Sequence, residues 1–220
     1  MGRLRTFYGS MVGKKAVMGL TGLIWIGFVI LHSLGNLLVF RGPGAINSYS
    51  RFLKGTGELL WVLRGVLFLA VVLHVIAAIQ LTRQSRAARA IGYTKRETQV
   101  ATIASRTMRW GGALLLAFLV VHILHFTTGS IRPAGAFSSE DVYANVVTSF
   151  RIWWVALFYV VSMIALGLHL FHGAWSSVRS LGVSPPSPQP LQRRLSMAIA
   201  VFVWAAFTAI PVAVFSGVVR

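Results

Sequence analysis

The chain alternates between long apolar stretches and short polar segments. Five stretches reach the roughly 20 residues that a helix needs to cross the hydrocarbon core of a bilayer. We place them at about residues 16–40, 59–82, 110–127, 152–178 and 196–215. The first is too long for the apolar part of a cleavable signal peptide, which has about 7–15 residues. The pattern therefore predicts an all-α transmembrane protein, a single integral-membrane domain over residues 1–220 with five spanning helices.

The segment before the first span has a different pattern. In residues 1–15, Leu4, Phe7, Tyr8 and Met11 recur at helical spacing among Arg and Lys residues. Such a pattern is typical of a short helix that lies in the membrane interface. We therefore expect residues 1–15 to form an interfacial N-terminal segment.

The polar segments also alternate in charge. Basic residues are concentrated before span one, between spans two and three, and beside the Pro-rich link between spans four and five. The other two loops are nearly balanced in charge. Because basic loops stay on the cytoplasmic side, the N-terminus is expected in the cytoplasm and the C-terminus outside.

Composition agrees with a membrane protein and excludes several functions. The residues are 56% hydrophobic and 11% charged, with a mean hydropathy of +0.73. The net charge of +17 would favour nucleic acid in a soluble protein, but here the basic residues flank apolar spans, so no nucleic-acid partner is expected. The chain has no cysteine, which excludes thiolate-bound iron–sulfur clusters, thiolate zinc sites and covalently attached haem.

Histidines are the residues most informative about chemistry, because each of the first four spans carries at least one. They are His32, His74, His122, His125, His169 and His172. Ionisable groups inside a membrane are costly and usually functional. A proton relay would normally involve carboxylates, and the span interiors contain no Asp or Glu. Haem iron accepts two imidazoles, so haem is the expected ligand; plain helix contacts are the alternative for any single histidine.

Depth groups these histidines into two layers. At ~1.5 Å per residue from the flanking basic residues, the span-one and span-three histidines lie ~20–25 Å from the cytoplasmic end, and those of spans two and four lie ~10–15 Å from it. In a four-helix bundle with sequential packing, spans one and three are diagonal, as are two and four. We therefore expect two haems about 10 Å apart along the membrane normal. The depth count does not decide whether His122 or His125 is the haem ligand in span three. Span five carries no histidine and is expected outside the bundle.

Glycines recur beside these histidines in spans one, three and four. They are Gly19, Gly22, Gly27, Gly35, Gly111, Gly112, Gly167 and Gly173. Close helix packing and room for a porphyrin are both compatible with them.

Five stretches, taken in order, resemble a known family. They are FVILHSLGNL (28–37), GAINSYSRFL (44–53), LHVIAAIQL (73–81), VHILHF (121–126) and LHLFHGAWSSVRSLG (168–182). With the five spans, this set resembles the cytochrome b membrane anchor of succinate:quinone oxidoreductases (succinate dehydrogenases and fumarate reductases), in the single-chain, five-helix, di-haem type. The resemblance covers nearly the whole chain.

The resemblance implies a ligand set. It favours His122 in span three, and in span four it favours His169, which Gly173 follows four residues later. The outer haem b would then be held by His32 and His122, and the inner haem b by His74 and His169. His125 and His172 would lie near the haems.

The resemblance also implies partners and a function. A flavoprotein subunit and an iron–sulfur subunit on the cytoplasmic face would oxidise succinate, as in the tricarboxylic acid cycle, and this anchor would carry the electrons to quinone, with menaquinone favoured. No catalytic residue is expected on this chain. The location would be the inner (plasma) membrane of a bacterium, in contact with lipid, with a higher oligomer possible.

The quinone site is expected near the outer haem. Related fumarate reductases use a glutamate near the outer end of the second helix, and Glu58 is the only carboxylate in that region; a surface charge is its alternative role. Ser33 and Asn36 are other polar candidates, and Arg51 and Arg64 are candidate partners of haem propionates.

Two other functions remain open at this stage. One is a haem b subunit of another quinone-linked dehydrogenase, of the formate dehydrogenase or hydrogenase type. The other is a cofactor-free, proton-coupled transporter that uses the histidines for protons.

Overall fold

A computed structural model of the chain describes residues 7–88, 102–183 and 190–220. These residues form helices and no strand. In chain order the helices are α1 (Met11–Asn36), α2 (Pro43–Gly55), α3 (Glu58–Ala87), α4 (Ile103–His122), α5 (Val142–Phe150), α6 (Trp153–Ser180) and α7 (Pro190–Phe215). A 3₁₀ turn, Leu37–Arg41, extends α1, and a π turn, Ile123–Thr127, extends α4.

Five of these helices are long and apolar enough to cross a membrane: α1, α3, α4, α6 and α7. The predicted number of spans is therefore confirmed. The helices run past the apolar stretches, since α3 continues to Ala87 and α4 already begins at Ile103. Ser10 caps α1 by accepting a hydrogen bond from the backbone N–H of Gly13, so this helix begins inside the predicted interfacial segment, whose residues 1–6 lie outside the described part.

Helices α1 and α6 lie at the centre of the packing. Helix α1 packs against α3, α6 and α7, and α6 packs against α4 and α7. In the described part of the chain, α3 and α4 have at most marginal contact with each other. Only 11% of the apolar stretch of α3 and 6% of that of α4 is buried, against 33% for α6 and α7. Each of α3 and α4 is therefore held by one neighbour and borders open space.

One end of the molecule, here called the cap end, is closed by α2 and α5. Their apolar faces pack into one core with the helix ends beneath them, including Val39, Ile46 and Phe150. Two side chains also join the short helices. Asn47 donates to Asp141 at 2.9 Å and accepts from the backbone N–H of Tyr143 at 3.0 Å, while Asp141 caps α5 by accepting from the N–H of Ala144 at 3.0 Å.

The opposite end, here called the basic end, is where α3 ends and α4 begins. The described basic residues near it include Arg83, Arg86, Arg106 and Arg109. The remaining basic residues of the predicted segment between spans two and three, among them Arg89, Lys95 and Arg96, lie outside the described residues. The charge asymmetry of the sequence therefore coincides with the two ends of the fold.

Candidate functional site

Four of the six histidines meet in two pairs between helices. The ring centroids of His32 (α1) and His122 (α4) are 6.0 Å apart, and those of His74 (α3) and His169 (α6) are 6.2 Å apart. Neither α1 with α4 nor α3 with α6 is among the closely packed helix pairs of the described chain. Imidazoles therefore approach each other across gaps that the helices themselves leave open.

The ring separations match what a shared metal requires. A metal–imidazole nitrogen bond is about 2 Å long, and the ring nitrogen lies about 1 Å from the ring centre. Two imidazoles on opposite sides of one metal ion thus have centroids about 6 Å apart. Both pairs have this separation, which is compatible with an iron held by two histidines.

The two pairs lie farther apart than the sequence-based depth count predicts. His74 contacts Thr21, which precedes His32 by eleven residues on α1, or ~16 Å. A Cβ built on Gly112 would lie 3.9 Å from His169 Cε1, and Gly112 precedes His122 by ten residues on α4, or ~15 Å. The expected spacing of about 10 Å is therefore an underestimate.

The error comes from the reference points of the depth count. It placed the basic residues that flank each span at one depth. Arg83 lies four residues before the end of α3, whereas Arg109 lies six residues after the start of α4. These arginines are consequently not equivalent markers of the membrane boundary.

The cap-end pair is surrounded by side chains. His32 stacks on Phe28 of its own helix at 5.2 Å and meets Phe207 of α7 at 5.7 Å. The amide nitrogen of Asn36 lies 3.3 Å from both ring nitrogens of His32 and donates to its backbone oxygen at 2.7 Å. Helix α7, although it carries no histidine, thus contributes one wall of this pair.

His122, the other member of the cap-end pair, lies in an aromatic environment. Phe118 stacks on it at 5.5 Å, and Phe126 lies at 5.8 Å. The hydroxyl of Tyr159 is 3.5 Å from His122 Nδ1. This long contact is the one hydrogen bond of the His122 ring in the described structure.

In the basic-end pair, His74 contacts a backbone carbonyl and a threonine hydroxyl and lies close to a glycine. Nδ1 of His74 lies 3.1 Å from the carbonyl oxygen of Met18 and 3.1 Å from the Thr21 hydroxyl. An Nδ1–H that donates to a carbonyl leaves Nε2 as a lone-pair donor for a metal, which is the usual arrangement of a ligating histidine. A Cβ on Gly22 would lie 3.4 Å from His74 Cε1, so a larger residue there would press against the ring.

His169 lies beside open volume. A cavity of about 310 Å³ between α4 and α6 is lined by His169 and by apolar neighbours that include Trp110, Gly111 and Leu168. Nδ1 of His169 is buried without a hydrogen-bond partner. A buried polar atom without a partner costs about 1–3 kcal/mol, so His169 has both open volume beside it and a ring nitrogen that a bound group could satisfy.

His125 differs from the four paired histidines. It is only 4% exposed, its Nδ1 lies 3.0 Å from the Tyr159 hydroxyl and its Nε2 2.9 Å from Ser149 Oγ. Both ring nitrogens are thus engaged within the protein, which favours His122 over His125 as the metal ligand of α4. His172 is half-buried, one turn from His169, and no second ring pairs with it in the described structure.

Of the candidate quinone and propionate residues, only Asn36 comes within hydrogen-bonding distance of a histidine ring. Ser33 is fully buried and donates to the Ile30 carbonyl at 2.8 Å. Arg51 is exposed and donates to Ser48 at 2.9 Å. The guanidinium of Arg64 lies over the Trp61 ring at 4.9 Å, and Glu58 is exposed in the first turn of α3.

The residues around the histidines that were missed from the sequence include Thr21, Ser149, Tyr159 and Phe207. A signal existed for Thr21, because eleven residues are close to three helical turns and place it on the His32 face of α1. Tyr159 is a polar aromatic residue inside an apolar span, where its hydroxyl needs a partner. Nothing in the pattern indicates Ser149 or Phe207, since their positions depend on how α5 and α7 pack.

Within the described residues, no three His, Asp or Glu side chains converge as a metal site. The histidine pairs are therefore the candidate sites. Comparison of the chain with family models, curated proteins and solved structures gave no match.

Proposed function

We propose that the chain is a di-haem cytochrome b membrane anchor of the succinate:quinone oxidoreductase type. The observation that carries this proposal is the occurrence of two interhelical imidazole pairs at 6.0 and 6.2 Å. Both separations suit a six-coordinate iron, and both pairs lie where helices leave space. The first four spanning helices would form the haem-binding bundle, with α7 against its side.

The residues would divide the work between two layers. His32 and His122 would hold the cap-end haem b, and His74 and His169 the basic-end haem b. A haem b held by these histidines would supply reversible one-electron transfer. The protein's contribution would be to orient the imidazoles, through Met18 and Thr21 for His74 and through Asn36 for His32.

Charge supports an orientation and a set of partners. The basic end would face the cytoplasm by the positive-inside rule, in the inner membrane of a bacterium. An iron–sulfur subunit and a flavoprotein subunit would dock there, and succinate would be oxidised on the flavoprotein. Electrons that pass from the basic end to the cap end cross the membrane potential, which involves ~2.3 kcal/mol per charge at 100 mV. That coupling matters for a low-potential acceptor such as menaquinone.

The quinone would be reduced near the cap-end haem. Asn36 is the best-supported polar contact, because its amide already lies beside His32. Ser33 and Glu58 stay further candidates, and Arg51 and Arg64 stay candidates for propionates. Two carboxylates, Glu140 and Asp141, also lie at this end.

The decisive experiment counts haem in the complex purified from its native membrane. A pyridine haemochrome assay is expected to give about two haems b per copy of this chain, with flavin and succinate:quinone activity in the same fraction. Two haems without flavin or succinate activity would favour a formate dehydrogenase or hydrogenase type of complex. A reduced-minus-oxidised spectrum without a b-type band would leave the transporter as the better interpretation.

A further inference from the structure

A line of polar side chains runs from the cap to the cap-end pair. Ser149 Oγ lies 2.9 Å from His125 Nε2, His125 Nδ1 lies 3.0 Å from the Tyr159 hydroxyl, and that hydroxyl lies 3.5 Å from His122 Nδ1. Ser149, His125 and Tyr159 are all nearly fully buried, with exposed fractions of 4%, 4% and 6%. A buried polar line of this kind needs an internally consistent set of donors and acceptors.

The proposed function fixes the direction of every bond in this line. If His122 uses Nε2 for iron, its neutral ring must carry the proton on Nδ1, which then donates to the Tyr159 oxygen. The Tyr159 O–H is left to donate to Nδ1 of His125. His125 must therefore carry its own proton on Nε2, which donates to Ser149 Oγ. The use of His122 Nε2 as the iron ligand thus determines the tautomer of His125 and the direction in which the Tyr159 hydroxyl points its proton.

The local backbone favours this arrangement. The π turn Ile123–Thr127 begins directly after His122 and contains His125. Such turns are uncommon and occur often at functional sites. In this structure both His122 and His125 reach the same tyrosine hydroxyl on α6. The far end of the line is anchored on α5, the short helix of the cap.

We propose that Tyr159 is a positioning residue for His122, and that the line Tyr159–His125–Ser149 sets the electron affinity of the cap-end haem apart from that of the basic-end haem. The inference rests on the proposed function. An acceptor on the outer N–H of a ligating histidine orients the ring and raises the basicity of the ligand. A more basic ligand favours ferric iron and lowers the reduction potential. A tyrosine oxygen whose own proton is donated onward is the better acceptor.

The basic-end pair shows why this effect is local. His74 donates to the backbone carbonyl of Met18, a partner that side-chain substitution leaves in place. Removal of the Tyr159 hydroxyl should therefore change one haem and leave the other as a reference in the same molecule.

The test is a redox titration of the purified complex that carries Tyr159→Phe. We expect both haems to be retained, the potential of the haem that depends on His122 to shift upward, and the other potential to stay constant. The shift should be modest, because 3.5 Å is the upper limit of a hydrogen bond. Ser149→Ala, at the far end of the line, should shift the same haem in the same direction by less.

The matched control is Tyr143→Phe. Tyr143 is also a tyrosine of the cap end, but its hydroxyl donates to the Arg220 carbonyl at 2.8 Å, so its loss should move neither potential. Unchanged potentials in Tyr159→Phe, or equal shifts of both, would overturn the inference while the haem count of the wild type still upholds the proposed function. If Tyr159→Phe loses the cap-end haem, Ser149→Ala decides: a shift of that haem alone supports the inference, and no shift refutes it. A wild-type complex without two haems refutes the proposed function itself.

Discussion

The cap-end and basic-end histidine pairs have nearly the same ring separation but different surroundings. Side chains from several helices surround the cap-end pair, among them Phe207 and Tyr159. At the basic-end pair, His74 contacts a backbone carbonyl and a threonine, glycines lie close to both rings, and a cavity of about 310 Å³ borders His169. The comparison teaches that one geometry can be built in two ways. At the cap end, neighbouring side chains determine the orientation of the imidazole rings. At the basic end, their orientation depends on a backbone carbonyl and on the absence of larger side chains nearby.

Removal of the proposed haem ligands tests the comparison most strongly. His32→Ala and His122→Ala should each abolish the same haem, and His74→Ala and His169→Ala should each abolish the other, because either pair loses one of its two axial donors. Haem content per chain should fall from about two to about one, and reduced-minus-oxidised spectra identify the haem that remains. The control His172→Ala should keep both haems. Variants from one pair that lose different haems would show the pairing to be wrong.

Filling the space at the basic end should have the next largest effect. In Gly22→Leu the added side chain starts 3.4 Å from His74 Cε1, so it should displace the ring and remove the basic-end haem while the cap-end haem persists. The control is Gly65→Leu. Gly65 lies nine residues before His74, on the opposite face of α3, and a Cβ there meets nothing within 4 Å. Reduced-minus-oxidised spectra of both variants measure which haems each of them retains. Retention of two unaltered haems in Gly22→Leu would contradict the role given to that glycine.

Weakening the packing of the cap should have the smallest effect, and this effect should be confined to the cap-end histidine pair. Asp141→Ala removes the cap of α5 and the bond to Asn47, and loss of a helix cap costs about 1 kcal/mol. Thermal unfolding in detergent should begin a few degrees lower, ~2–4 °C, with the cap-end haem released first. Glu140→Ala, which removes an exposed ion pair with Lys54 and an exposed hydrogen bond from Ser139, is the control and should change little. Earlier release of the basic-end haem would show that the cap does not support the cap-end pair.

The same carboxyl makes the effect depend on pH. The N–H of Ala144, and then the Asn47 side chain, hold the pKa of Asp141 below its ordinary value. A lowered pKa in the folded state means that the stabilisation is present above the ordinary pKa of an aspartate and disappears as pH falls through the lowered value. The difference between wild type and Asp141→Ala should accordingly be full at neutral pH and shrink in acid.

Much of the fold follows from the sequence because apolar length is a local signal. Each of the five spans is visible as a long, predominantly apolar run, and the number of spanning helices is confirmed. The ends of the helices were less predictable, since α3 and α4 continue into polar sequence that still favours helix. The end of an apolar stretch indicates where contact with lipid ends. The end of a helix is where its backbone hydrogen bonding ends, and the two need not coincide.

The site was predictable only to the level of the individual histidine. Spacing along the chain grouped the histidines of spans one and three and those of spans two and four, and the family resemblance favoured His122 and His169 among them. The structure brings the ring of His32 to that of His122 and the ring of His74 to that of His169. The surroundings of the histidines were not predictable. Phe207 and Ser149 reach them through the packing of α7 and α5, which the spacing of apolar residues along the sequence does not indicate. The role of His125 depends on a π turn, which no hydrophobic pattern encodes.

The near absence of contact between α3 and α4 has a consequence for biogenesis. In a bilayer, two spanning helices that barely touch would leave an opening between them that lipid tails could fill. The proposed haems would link α1 with α4 and α3 with α6, helix pairs that are not closely packed, so ligand binding and completion of the tertiary structure would become one event, as in other metal-coupled folding. A cell short of porphyrin would then accumulate an incomplete subunit exposed to membrane proteases, and the supply of iron porphyrin would govern how much of the complex is assembled.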